Sequence, residues 1–101
     1  MRTRLQLREV LLQEIGIPNL YFQPPSTAQM KYPCVVYRLS DQYIRHSDGV
    51  PYIGYKAYQV IIIDKDPDSL YQDLPLNIPL CRFDRYYTAD GLNHWVYNLY
   101  F

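Results

Sequence analysis

The sequence predicts an α+β domain: an N-terminal helix and a short second helix packed on a four-stranded antiparallel sheet, in the order α-β-β-α-β-β. Three observations carry that expectation. The chain opens on apolar residues at helical spacing, closed by a glycine and a proline. Four later runs are rich in β-branched and aromatic residues and are separated by proline, aspartate and glycine. Between the last two runs stands Asp90-Gly91, a tight-turn signal. At 101 residues the chain reads as a single domain over 1–101.

The helix is expected over 3–15. Leu5, Leu7, Val10, Leu11, Leu12 and Ile15 form one broad apolar stripe, while Arg4, Arg8, Gln13 and Glu14 face water. Gly16 and Pro18 then stop it. Residues 16–31 read as irregular, because the stretch PNLYFQPPSTAQMKYP holds four prolines. The first strand is expected at about 32–40, with Pro33 near its start, where a missing N–H is tolerated. A polar excursion, DQYIRHSDGVP, leads to the longest strand, about 52–64. A short helix is expected at about 67–74: Asp66 suits the N-cap, Pro67 the first helical position and Asp68 the helix dipole, and Pro75 limits the length. The last two strands are placed at about 80–88 and 93–101, joined by TADGLN.

Alternation assigns faces to these strands. Trp95, Tyr97, Leu99 and Phe101 share one side of the last strand, and His94, Val96, Asn98 and Tyr100 the other. In the longest strand Tyr58, Val60 and Ile62 lie opposite Tyr55, Ala57, Ile61 and Ile63, so both faces are apolar near the middle. Two short helices cover one sheet face but scarcely two. The second face is therefore expected to need another lid, in the form of another subunit. Twelve tyrosines point the same way, since a ring with a polar tip suits a surface buried in one state and wet in another.

Charge and composition narrow the function. Ten basic residues balance ten acidic ones, which is not the footprint of a nucleic-acid binder. No apolar run reaches membrane-spanning length. The opening MRTRLQLREVLLQEIG lacks the apolar stretch and cleavage site of a secretory signal, so a cytoplasmic origin is expected. Cys34 and Cys81 sit in apolar strand-like runs without C-x-x-C spacing and read as core residues, with a disulfide or a reactive thiol as the alternatives.

The chemical candidates have bland explanations. Asp64, Asp66 and Asp68 resemble the opening of a calcium loop, yet Ser69 and Pro75 stand where that loop needs glycine and a bidentate glutamate. Capping and a solvated turn explain them better. His46 and His94 come from separate loops with no ligand spacing. Cys81 or Ser47 beside His94 would be the nucleophilic arrangement to look for, but no nucleophile elbow, oxyanion loop or phosphate cradle accompanies it. Asp90 serves a turn, and Asp84 and Arg85, as neighbours on a regular strand, point to opposite faces and form no cluster. The expectation is no enzyme, no cofactor and no metal.

The pattern MKYPCVVYRLSD, then YQVIIIDKDPDS, then FDRYYTADGLNHWVYNLYF resembles a family of small tail-terminator, or tail-completion, proteins of long-tailed bacteriophages. The resemblance covers about residues 24–101, and Asp84 through His94 is its most specific part. It implies an α+β subunit that forms a ring, commonly a hexamer, on the end of the tail tube. Such a ring stops polymerisation and presents a surface to the head connector. The implied partners are further copies of the chain, the tail tube protein and a connector or stopper protein, with DNA passing through the lumen without sequence readout. The implied place is the tail–neck junction of the virion. The chain departs from this picture in one respect, since no clear acidic face marks a DNA-lined lumen. A head–tail joining or stopper protein of the neck is the alternative, and a small cytoplasmic binding module a more distant one. Candidate contacts to a neighbouring subunit or to the tube are Tyr43, Arg45, His46, Tyr52, Tyr55, Arg85 and Tyr100. Most lie in or beside the hydrophilic loop at 41–51, which is long enough to reach a neighbour.

Overall fold

The computed structural model describes residues 3–40 and 56–101. Helix α1 runs Arg4–Ile15. Thr3 caps it through a reciprocal pair: its Oγ1 accepts from the Gln6 N–H at 3.3 Å, and Gln6 Oε1 accepts from the Thr3 N–H at 2.8 Å. Gly16 ends it with φ 81°, donating its N–H to the Leu12 carbonyl at 3.0 Å. The expected single broad stripe splits in two. Leu7, Leu11 and Ile15, four apart, are buried, whereas Leu5 is 61% exposed and Leu12 also lies outward. Seven residues make almost two whole turns, so Leu5 and Leu12 share a separate line on the helix.

Five strands follow: β1 (Leu20–Phe22), β2 (Cys34–Leu39), β3 (Ala57–Asp64), β4 (Cys81–Ala89) and β5 (Leu92–Tyr100). They form one sheet in the order β1-β2-β3-β5-β4. β1 runs parallel to β2, and every other pair is antiparallel. The α+β class is as expected, but the sheet is five-stranded and mixed, where four antiparallel strands were predicted. The extra strand lies inside the proline-rich stretch read as irregular. Side chains hold it there: Asn19 donates Nδ2–H to the Pro33 carbonyl at 3.1 Å, and Gln23 Oε1 accepts from the Leu39 N–H at 3.2 Å. The strand predicted at 52–64 is observed as Ala57–Asp64, and 52–55 lie outside the described residues.

The predicted helix at 67–74 is absent; a short 3-10 helix at Leu74–Asn77 follows a run of turns instead. Asp64 accepts from the Asp66 N–H at 3.1 Å, Asp66 from the Asp68 N–H at 2.9 Å, and Ser69 Oγ from the Tyr71 N–H at 3.3 Å. Of these donors only the Tyr71 N–H would be needed inside a helix starting at Pro67, and Ser69 takes it in a local turn. The β4–β5 hairpin turns on Asp90 (φ 54°) and Gly91 (φ 74°), both left-handed as a two-residue turn of this kind requires.

Two cores lie on the two sheet faces. On the helix face Leu7, Leu11 and Ile15 of α1, with Ile17, Leu20 and Ile78, pack in one core with Val35, Tyr37, Tyr58, Val60, Ile62, Trp95, Tyr97 and Leu99. Tyr97 donates its hydroxyl to the Gln72 carbonyl and so ties the segment before the 3-10 helix to the sheet. On the other face Cys34, Val36, Ile61, Ile63 and Val96 are each buried, with Tyr21, Met30, Tyr32 and Leu92 packed against them. This corrects the expectation that the second face lacks a lid of its own. The Pro-rich segment folds back over it, and the Lys31 N–H donates to the Tyr21 hydroxyl at 3.1 Å to hold it there.

Candidate interaction surface

The least covered part of the sheet is β4. It stands at the sheet margin, pairs with β5 on one side, and is exposed along nearly all of its nine residues. Among the described residues no strand pairs with its outer edge. Phe83 is 49% and Tyr86 47% exposed, although both stand on the helix side of the sheet. Phe83 meets Tyr97 edge-on with centroids 5.6 Å apart, and Tyr86 lies 5.4 Å from Trp95. With Leu76 of the 3-10 helix they border a shallow groove of about 340 Å³. Leu80, 56% exposed, continues the apolar strip just before the strand.

The other side of β4 is polar and stacked. Tyr87 lies flat on His94, centroids 4.5 Å apart at 13°, and the Arg85 guanidinium sits 5.8 Å from the Tyr87 ring. The strand contains a bulge between Phe83 and Arg85, leaving Asp84 as the extra residue. The bulge overturns the expectation that Asp84 and Arg85 face apart. Arg85 Nη1 donates to Asp84 Oδ2 at 2.6 Å in an exposed ion pair. It also sets Phe83 and Tyr86 on one face, where simple alternation would separate them.

The hairpin is fixed to the rest of the sheet by Asn93, one of two buried polar side chains among the described residues. Its Nδ2 donates to the Asp64 carbonyl at 3.2 Å and the Lys65 carbonyl at 3.3 Å, and its Oδ1 accepts from the Tyr86 hydroxyl. The Asn93 amide therefore joins β3, β5 and β4 at one end of the sheet.

Of the residues singled out as contacts, Arg85 lies on this surface. Tyr100 is half-buried at the far end of β5, opposite Ala57, and is not part of the same patch. Tyr43, Arg45, His46, Tyr52 and Tyr55 lie outside the described residues. Phe83, Tyr86 and Leu80 carry the patch and were not singled out, because alternation without the bulge places only one of the two rings on any given side.

The chemical candidates are dispersed. Cys34 is fully buried on one face of the sheet, Cys81 is half-buried against the core of the other, and both are free. Burial pushes the Cys34 thiol up to about 12, with Asp64 adding to the shift, and the Cys81 thiol up to about 11. Neither is activated as a nucleophile. His94 Nδ1 donates to the Leu92 carbonyl at 3.2 Å, its ring covered by Tyr87. Asp64 and Asp66 each spend a carboxylate oxygen on the turn, accepting from the Asp66 and Asp68 N–H groups. Among the described residues no three His, Cys, Asp or Glu side chains gather as metal ligands. No helix there is long and apolar enough to cross a membrane. A groove of about 500 Å³ on the helix-free face runs between Pro24, Met30, Arg38, Ile63, Tyr87 and His94.

No protein-family model matches the chain, and no curated protein or solved structure matches it.

Proposed function

We propose that this chain is a structural virion protein, a ring-forming tail terminator that caps the tail tube, stops its growth and offers the surface to which the head attaches. The supporting observation is that large apolar side chains stay uncovered on two unlike surfaces. One is the β4 margin, with Leu76, Leu80, Phe83 and Tyr86; the other is the end of β2, where Leu39 is 49% exposed. Two strands, β3 and β5, separate β4 from β2, a distance of about 14 Å at ordinary strand spacing. A head-to-tail ring needs two such different surfaces, one meeting the other on the next copy. The phage assignment itself comes from the resemblance of the segments ending in Asp84–His94. On this reading the protein works by shape and contact, without catalysis or a cofactor, and its site of action is the tail–neck junction.

Deleting the gene from the phage that encodes it tests the reading. Full heads beside tails of uncontrolled length are expected. Tails of normal length and normal end that fail to attach would assign the protein to head–tail joining instead, and normal particles would refute a virion role.

A further inference from the structure

The outer edge of β4 has a property that neither the resemblance nor the ring requires: it is complementary to itself. Lay the strand antiparallel against a second copy, with the two-fold axis between Asp84 and Arg85. Asp84 then faces Arg85 of the second copy, and Arg85 faces its Asp84. On the helix side Phe83 stands opposite Tyr86, and on the other side Arg82 stands opposite Tyr87, each twice by symmetry. An antiparallel pair requires opposed residues to share a face. Phe83 and Tyr86 do so because the bulge at Asp84 shifts the alternation. Moving the register by one residue either way sets Asp84 against Asp84 or Arg85 against Arg85, and brings rings onto opposite faces. One register thus satisfies charge, ring pairing and facing together.

We infer that in solution the free chain forms a two-fold dimer through β4, joining two five-stranded sheets into one continuous sheet. The pairing runs over eight residues of β4, Cys81 to Thr88, about 27 Å of strand. It satisfies edge N–H and C=O groups that exposed strands otherwise offer to any partner. The two Asp84–Arg85 ion pairs, each already closed within its own chain at 2.6 Å, become one alternating four-charge cluster. The dimer stands without the tail reading, but its consequence for assembly rests on that reading. A two-fold contact closes on two copies and grows no further. It occupies the same β4 margin that a head-to-tail ring would use, so pairing keeps free subunits from closing rings away from a tube.

Charge exchange tests this. Sedimentation equilibrium of the intact chain at micromolar concentration is expected to give twice the 12.1 kDa chain mass. Asp84→Arg places Arg against Arg twice, and Arg85→Asp places Asp against Asp twice, so each variant is expected to weaken dimerisation at least about tenfold. Mixing the two variants restores opposite charges at both positions and is expected to restore the dimer. Thermal unfolding of each single variant alone checks that both are folded. A monomeric wild-type chain, single variants that dimerise as well as wild type, or a mixture that stays monomeric would each overturn the inference. A hexamer in solution would also overturn it while favouring the ring. The gene deletion reports on the tail reading independently of all these outcomes.

Discussion

Asn93 gives the sharpest test of how the β4 surface is held. Its amide donates twice, to the Asp64 and Lys65 carbonyls, and accepts once, from the Tyr86 hydroxyl. Asn93→Ala removes three bonds at a buried position. At about 1 kcal/mol net for each, the expected loss is about 2–3 kcal/mol, or roughly 10–20 °C in Tm for a domain of this size. Asn93→Asp is more informative, because it keeps the shape and removes only the ability to donate. At neutral pH it brings a carboxylate to the positions of two carbonyl oxygens 3.2 and 3.3 Å away, so it is expected to destabilise at least as much as alanine. A carboxyl in that setting has its folded-state value raised, because protonation supplies a donor. The penalty relative to wild type is therefore small below the ordinary carboxylate range and grows as pH rises through it. Urea unfolding of wild type and both variants at pH 4 and pH 7 measures this. Equal stability of Asn93→Asp and wild type at pH 7, or a penalty independent of pH, would refute the role assigned to the amide.

Four further outcomes rest on the same geometry. Native protein is expected to react slowly with a thiol reagent at pH 8 and fully once unfolded. Since burial raises the Cys34 thiol from 9.0 to about 12, its contribution to stability is complete below pH 9 and is lost as pH rises from there toward 12, which alkaline unfolding reads. Ile61→Ala is expected to cost about 2–4 kcal/mol, because its side chain is buried at 3% exposure, whereas Phe83→Ser at the exposed margin is expected to change stability by under about 1 kcal/mol; chemical unfolding compares them. Gly91→Val is expected to cost about 1–2 kcal/mol from backbone strain alone, since φ is 74° and a Cβ there meets no atom within 4 Å; its melting temperature checks this.

The sequence carried the helix, its glycine stop, four of the strands and the Asp90-Gly91 turn, because each is set by local spacing and local backbone preference. It failed where a long-range contact decides. Leu20–Phe22 is too short to show a period, and becomes a strand only because Cys34–Leu39 lies alongside. The run from Asp66 to Asp73 has helix-start residues, but Ser69 takes the Tyr71 N–H that a helix would use and the run stays in turns. The lid over Ile61, Ile63 and Val96 comes from a Pro-rich segment with no pattern to betray where it folds. The bulge at Asp84 had the widest effect: one unpaired residue joined an ion pair thought impossible and brought Phe83 and Tyr86 to one side. The exposed aromatic margin was therefore legible in composition, as an excess of aromatics, and illegible in its placement.

The central claim is that this subunit meets copies of itself and the end of a tail tube. Electron microscopy of the purified chain mixed with tail tubes grown without it tests that claim most directly. A ring of subunits is expected at one end of each tube, and tubes capped in this way no longer lengthen when more tube protein is added. Bare ends, with tubes that continue to grow, would contradict it.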